Sequence, residues 1–151
     1  MIDTYPNPWD FQNTDKKLAS IDNFHKVIYY NLNEIAMGAP IGGQCFIETG
    51  NERKIKINDW CGGPPAWETD GQLFAIPIWT RKFLKGTIQQ IGVVDTKTME
   101  LKIFAKTFRV LDIRSFDKTT IYGYDSPIHK TKTVAFDITS EKIEKIIKLT
   151  Q

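Results

Sequence analysis

Short apolar runs separated by turn-forming residues recur over residues 25–138, and they constrain the fold more than any other feature of this chain. In residues 54–57, Ile55 and Ile57 alternate with lysines, as in a strand that has one buried and one solvated face. Gly50 and Asn51 separate this run from a second one at residues 44–48, which predicts a β-hairpin. Repetition of this pattern is typical of antiparallel sheets.

The last segment, residues 139–150, has a different period. Thr139 or Ser140 is a suitable helix N-cap, because a hydroxyl can accept a hydrogen bond from a first-turn amide. Glu141 follows where the helix dipole favours an acid. The apolar stripe of helical spacing consists of Ile143, Ile146, Ile147 and Leu149. We therefore expect an α+β fold, mainly antiparallel β, in which a twisted sheet or open sandwich carries one C-terminal helix.

Length and composition predict a single globular domain. The chain has 151 residues, 41% of them hydrophobic and 25% charged, which is enough to bury a core. We divide it into an irregular N-terminal segment (1–24), a β-rich body (25–138) and a C-terminal helix (139–150). Residues 32–37 also have helical spacing, so a short helix there is an alternative to the end of a strand.

Charge and hydropathy bear on partners and location. Twenty basic and 18 acidic residues leave a net charge of +2, which gives no case for nucleic-acid binding. No apolar run approaches the roughly 18 residues that span a bilayer. The first residues include Asp3 and two prolines but no apolar stretch, so we expect no secretory signal, no membrane contact and a cytoplasmic protein. Cys45 and Cys61 are weak evidence for a disulfide in a domain of this size, and we expect two buried, reduced thiols.

One segment resembles a single blade of a TolB- or WD40-type propeller. The residues that carry the resemblance are Pro65-Ala66-Trp67, Asp70-Gly71, Leu73-Phe74-Ala75, 91–95 and 96–98. The resemblance implies structural roles for Trp67 beneath a tight Asp70-Gly71 turn and for Asp95 as an acceptor in the next turn. A closed propeller has typically four to eight blades of about 40 to 45 residues, and this chain has room for about three and a half. We therefore expect a closed propeller only if several chains assemble one.

The region ahead of this unit carries a looser likeness. The run "YNLNEIAMGAP" (30–40), a hairpin and the blade-like unit together resemble small cytosolic bacterial proteins, some of the immunity type that neutralise toxins. The resemblance implies a binding protein and carries over no functional residue.

No catalytic constellation is visible in the sequence. His25 and His129 have no partner at a metal-ligand spacing, and no phosphate-binding loop or nucleophile elbow is present. Cys61 lies in a glycine-rich turn and Glu68 among scattered acids, which leaves a small hydrolase with a thiol or carboxylate site as an alternative. We predict no catalytic residue, no metal and no cofactor.

The aromatic residues are the more useful indication. Four tryptophans and five tyrosines exceed what one small core easily hides, although burial of all four tryptophans is the simpler interpretation. Tryptophan, tyrosine and arginine are enriched in interface hot spots. Trp60, Trp79 and Arg81 are therefore our predicted partner-binding residues. We predict a non-enzymatic protein-binding module, most concretely an immunity-type protein that neutralises a toxin, with a self-assembling β module as another alternative.

Overall fold

The computed structural model describes residues 4–150. Residues 1–3, among them Asp3 on which the signal prediction partly rests, and Gln151 lie outside the described residues. A short 3-10 helix at Lys16–Leu18 precedes the first strand. The strands are β1 (His25–Glu34), β2 (Ile41–Thr49), β3 (Lys54–Cys61), β4 (Ala66–Trp67), β5 (Leu73–Lys82), β6 (Gly86–Asp95), β7 (Glu100–Phe108), β8 (Leu111–Asp117), β9 (Thr120–Asp125), β10 (Lys132–Asp137) and β11 (Ile143–Lys148). Between residues 4 and 150, no helix has the length and apolar character needed to cross a membrane.

The strands form two antiparallel sheets. The larger sheet has the order β1-β2-β3-β5-β6-β7-β11, with β4 paired to one end of β5, and the smaller sheet has the order β10-β9-β8. The hairpin predicted around Gly50 and Asn51 is confirmed, because β2 and β3 pair on either side of these residues. The alternative helix over 32–37 is not formed, since β1 continues to Glu34.

The predicted C-terminal helix over 139–150 is wrong, and with it the α+β class: the described chain is almost entirely β. The cap-like hydroxyls belong to a turn, in which Asp137 Oδ1 accepts hydrogen bonds from the Thr139 amide (2.9 Å) and hydroxyl (2.7 Å). Residues 143–148 then pair with β7 as β11. Tertiary pairing decided this outcome, because β7 gains backbone partners and isoleucine fits a strand better than a helix.

Two apolar cores lie on opposite sides of the strands β5, β6 and β7. The first core contains side chains from β1, β2 and β3 together with Phe74, Ile76 and Ile78 of β5. The second contains Ala75 of the same strand and the inward side chains of the smaller sheet, such as Phe116 and Phe136. Alternate residues of β5 therefore enter different cores, which explains why its sequence is apolar on both faces.

The expectation of two reduced thiols is also wrong. Cys45 of β2 and Cys61 of β3 form a disulfide, with 6.1 Å between their Cα atoms. Both residues are fully buried in the first core. The hairpin brings them onto neighbouring strands and onto the same face, within the Cα separation that a disulfide requires.

Pro77 lies inside β5, although proline in a sheet is usually confined to an edge strand or a bulge. On the side facing β3 and β4, Ala75 pairs with β4 and Ile78 pairs with β3, so Pro77 falls between the two partners. Proline has no amide hydrogen to donate, and at this position no strand pairs with β5 on that side, so no ladder hydrogen bond is lost. Strands β4, β5, β6 and β7 are consecutive antiparallel neighbours, and the likeness to a propeller blade stays a hypothesis.

Candidate partner-binding surface

Trp60 and Trp79 stack on the face of the larger sheet that is turned away from the first core. The antiparallel register that pairs Cys61 with Ile78 also sets their neighbours, Trp60 and Trp79, opposite each other. Their ring centroids are 5.8 Å apart, with an angle of 24° between the ring planes. Trp79 is buried and Trp60 is half-buried, so the stack leads from the interior to the surface.

Arg81 extends this stack into solvent. It lies two residues beyond Trp79 on β5 and therefore on the same face of the strand. Its guanidinium carbon is 4.9 Å from the centroid of the Trp60 ring, the geometry of a cation–π contact. The three residues that the sequence analysis selected are thus adjacent, and we call them the aromatic ladder.

Two glycines make room for the inner ring of the aromatic ladder. A Cβ atom at Gly42 would lie 2.9 Å from Trp79 Cδ1, and one at Gly62 would lie 3.2 Å from Trp79 Nε1. Nε1 has no hydrogen-bond partner among residues 4–150, so the position of the ring is set by packing. The indole of Trp79 is consequently a fixed support on which Trp60 rests.

The β5–β6 turn that follows the ladder exposes two large apolar side chains. Phe83 is 90% exposed and Leu84 is 91% exposed. The Lys85 amide donates to the Lys82 carbonyl (3.1 Å) and closes a tight turn. Leu84 has a φ of 71°, in the left-handed region that a leucine adopts at a cost of roughly 1–2 kcal/mol. We call Phe83 and Leu84 the hairpin tip.

Basic residues flank the hairpin tip on both sides. Lys82 forms a 2.8 Å ion pair with Glu144 of β11, and the hydrogen bond from Lys82 lowers the pKa of the Glu144 carboxyl. Lys85 Nζ donates to the Thr107 hydroxyl (3.3 Å). Arg81 stays exposed beside Trp60. The surface therefore combines an apolar tip with positive charge.

The residues assigned structural roles lie around the β4–β5 turn and the end of β6. Trp67 packs on Phe74 with 4.7 Å between ring centroids, and its Nε1 donates to the Leu18 carbonyl (2.9 Å). Asp70 and Gly71 form the turn, where Gly71 has a φ of 82° and its amide donates to the Glu68 carbonyl (2.8 Å). Asp95 Oδ1 accepts a hydrogen bond from the Lys97 amide (2.9 Å).

The remaining candidates for chemistry are engaged elsewhere or stand apart. Cys61 is bonded to Cys45 and buried, so it offers no thiol. Glu68 is buried and its Oε2 accepts hydrogen bonds from the Thr69 hydroxyl and the Asp70 amide, both at 2.9 Å. Burial lowers the pKa of His25, whose ring stacks on Trp67. In the part of the chain that the structure describes, no three His, Cys, Asp or Glu side chains are grouped as a metal site.

Phe83 and Leu84 were not among the residues that sequence reasoning selected. The run "TRKFLKG" (80–86) contains three basic residues and therefore has the composition of a solvated connection between strands. The sequence nevertheless contained an indication of a contact surface, because a turn seldom needs two adjacent large apolar residues. Neither residue belongs to the second core.

Comparison with known proteins adds no relative. The chain matches no protein-family profile, no curated protein and no solved structure.

Proposed function

We propose that this chain is a non-catalytic protein-binding module whose contact surface consists of the aromatic ladder and the hairpin tip. The observation that carries the proposal is the combination at Leu84 of nearly complete exposure and a left-handed backbone. Asparagine or glycine would fit this turn with less strain, so folding alone does not account for leucine here. Other exposed turn residues, such as Glu52 and Lys118, also have a left-handed backbone, so the large apolar side chain is what distinguishes Leu84.

The chemistry of the surface points to a partner that offers an apolar pocket rimmed by acidic groups. Phe83 and Leu84 would enter the pocket, and burial of two such side chains contributes on the order of 3–6 kcal/mol before the cost of association. Arg81 is held over Trp60, so its guanidinium is already oriented to pair with a carboxylate. The short turn keeps the tip ordered before binding, which lowers the entropy that association costs.

Neutralisation of a toxin is the most concrete form of this proposal. An immunity-type protein occludes its partner by surface complementarity and needs no catalytic group of its own, which agrees with a site built from aromatic, apolar and basic side chains. The hydrolase alternative has lost its thiol, since both cysteines are in the disulfide.

A cytoplasmic location stays a prediction, and the Cys45–Cys61 bond weighs against it. Stable disulfides are rare where glutathione and thioredoxin keep thiols reduced. Alkylation of free thiols during lysis of the host cells, followed by mass spectrometry, tests the location. Alkylated cysteines would agree with a cytoplasmic protein, and an unmodified bonded pair would contradict it.

The function is tested by affinity capture from the native host with the tagged wild type and matched variants. Trp60→Ala, Arg81→Ala and Phe83→Ser each change the proposed surface. Met37→Ser is the control, because Met37 is fully exposed and lies outside that surface. We expect one stoichiometric partner with the wild type and the control, and at least a tenfold loss of affinity in the three surface variants.

The result that contradicts the proposal is equally specific. If the captured protein binds all four variants as tightly as the wild type, the aromatic ladder and the hairpin tip are not the contact surface. If neither the wild type nor any variant captures a protein although all of them are folded, the proposal of a protein-binding module is contradicted.

A further inference from the structure

A cavity of about 330 Å³ lies between the 3-10 helix, the turn after β4 and strand β8, apart from the aromatic ladder. Its wall combines apolar surface with charged groups of both signs. The lining of the cavity includes Lys17, Trp67, Glu68, Arg114 and Asp117.

The cationic side of the cavity is formed by Lys17 and Arg114. Lys17 is half-buried and its Nζ donates to the Ile113 carbonyl (2.8 Å). Arg114 forms an ion pair with Asp112, a fully buried carboxylate. The Nε of Arg114 is buried and has no hydrogen-bond partner within residues 4–150. Two cations therefore share one buried counter-ion, whose Oδ1 is likewise buried and without a hydrogen-bond partner in the described chain.

Burial, followed by the charge of Arg114, lowers the pKa of Lys17 to about 8 from its usual 10.5. The cost of keeping Lys17 charged would fall if an anion lay beside it. The cavity thus combines room for an anion with a partly desolvated cation and the side chain of Arg114.

The acidic side of the cavity limits which anion fits. Glu68 is buried beside Thr69, and Asp117 lies farther along β8. With Asp112 set against the two cations, one positive charge stays unbalanced on the cationic side. Glu68 and Asp117 repel any anion, and they repel a dianion such as phosphate more strongly than a monoanion. Trp67 gives an apolar wall on which a flat or aliphatic group can pack.

We propose that this cavity binds a small monocarboxylate, with its carboxylate between Lys17 and Arg114 and its apolar part against Trp67. This site is separate from the proposed protein-binding surface and does not depend on it. A carboxylate accepts hydrogen bonds from both cationic groups, and such charge-assisted bonds are among the stronger ones in proteins.

The proposal predicts how affinity changes with pH. The other charged groups that face Lys17 are Asp112, Arg114 and Asp117 of β8 and Glu68 after β4. The pKa of Lys17, about 8, lies within the range from pH 7 to 9, so Lys17 loses its charge there. Protonated Lys17 binds the anion, hence affinity is highest below pH 8 and falls about tenfold between pH 7 and pH 9.

Benzoate is the probe, and its neutral isostere benzamide is the comparison. The indole N–H of Trp67, which donates to Leu18 at the edge of the cavity, is followed by ¹⁵N–¹H NMR at constant ionic strength. We expect a saturable shift with benzoate, at least tenfold weaker binding of benzamide, and the loss of affinity for benzoate between pH 7 and pH 9. Equal binding of the two probes, no binding of benzoate, or a flat pH profile would overturn the proposal.

Variants separate the role of Lys17 from a general charge effect. Lys17→Met is expected to lower benzoate affinity at least tenfold, whereas Lys16→Met, which removes an exposed lysine from the same 3-10 helix, is expected to leave it unchanged. Lys17→Arg keeps the charge and is expected to bind benzoate equally at pH 7 and pH 9. If Lys17→Met does not fold, the pH profiles of the wild type and Lys17→Arg decide, and identical profiles would overturn the proposal.

Discussion

In the proposed function, Leu84 serves binding at the expense of its own backbone. A left-handed leucine costs roughly 1–2 kcal/mol, and its side chain recovers nothing in the folded chain because it is 91% exposed. Gly86, which lies after Lys85 and has a φ of 75°, adopts the left-handed conformation without this cost. The turn therefore contains one residue that suits the fold, Gly86, and one to which we assign contact with the partner, Leu84.

Replacing Leu84 by asparagine is therefore expected to separate stability from binding. Asparagine tolerates the left-handed conformation, so the free energy of unfolding in urea should stay the same or rise by about 1 kcal/mol. Affinity for the partner should fall at least tenfold. A drop in stability of more than about 1 kcal/mol would show that leucine supports the fold.

Trp67 is the opposite case, a residue whose ring and indole N–H are both engaged within the folded chain. It packs on Phe74 and donates a hydrogen bond to Leu18, which fastens the N-terminal segment to β4. We expect Trp67→Ala to lower the free energy of unfolding by about 3 to 5 kcal/mol. Trp67→Phe, which keeps much of the packing, should cost clearly less. A loss below about 1 kcal/mol for alanine would contradict a structural role.

Among the secondary-structure elements, hydrophobic periodicity correctly predicted a strand that has one solvated face. It failed for the C-terminal segment, whose conformation depends on pairing with a neighbouring strand. Ile55 and Ile57 alternate with lysines, and their strand is the one predicted. Ile143, Ile146 and Ile147 also fit a helical stripe, and a sequence cannot reveal that β7 has an open edge for them. The stack of Trp60 on Trp79 depends on the register in which β3 pairs with β5, and this register cannot be inferred from the composition of the chain.

Lys17 was missed for the same reason. Lys16 and Lys17 are identical in sequence terms, yet one is exposed and the other enters a cavity beside Arg114, ninety-seven positions away. Only the packing of β8 over the N-terminal segment makes the difference.

The outer edge of β11 bears on the self-assembling alternative. Lys145 and Lys148 lie on this exposed strand, and lysines on an edge oppose pairing with a second sheet. We expect light scattering to give the same mass at low and high protein concentration. Lys145→Thr with Lys148→Thr should introduce concentration-dependent association, and Lys16→Thr with Lys97→Thr, two exposed lysines outside the edge strand, should not. Association of the wild type would favour the self-assembling module instead.

For the whole molecule, the disulfide reinforces the part of the larger sheet that lies outside the second core. It joins β2 to β3, which contribute to the first core alone among the described residues, whereas β5, β6 and β7 contribute to both. Cross-linking positions 16 residues apart should add about 3 kcal/mol by restricting the unfolded chain.

Reduction of the Cys45–Cys61 bond is accordingly expected to lower the free energy of unfolding by about 3 kcal/mol. Urea denaturation with and without a phosphine reductant measures the difference. Cys45→Ala with Cys61→Ala is the control, because its stability should not respond to the reductant. A wild type that is equally insensitive would show that the bond contributes no stability.

The β5–β6 hairpin, buried on both faces along its stem and bare at its tip, separates positions that pack in the two cores from positions that do not. A change at Ile76 disturbs the first core, while a change at Phe83 disturbs nothing in the fold. In the proposed function, partner specificity can therefore diverge by substitution at a few turn positions while the scaffold stays as it is. A protein that must follow a rapidly changing opponent gains from that separation, because each new variant at the tip begins from a chain that already folds.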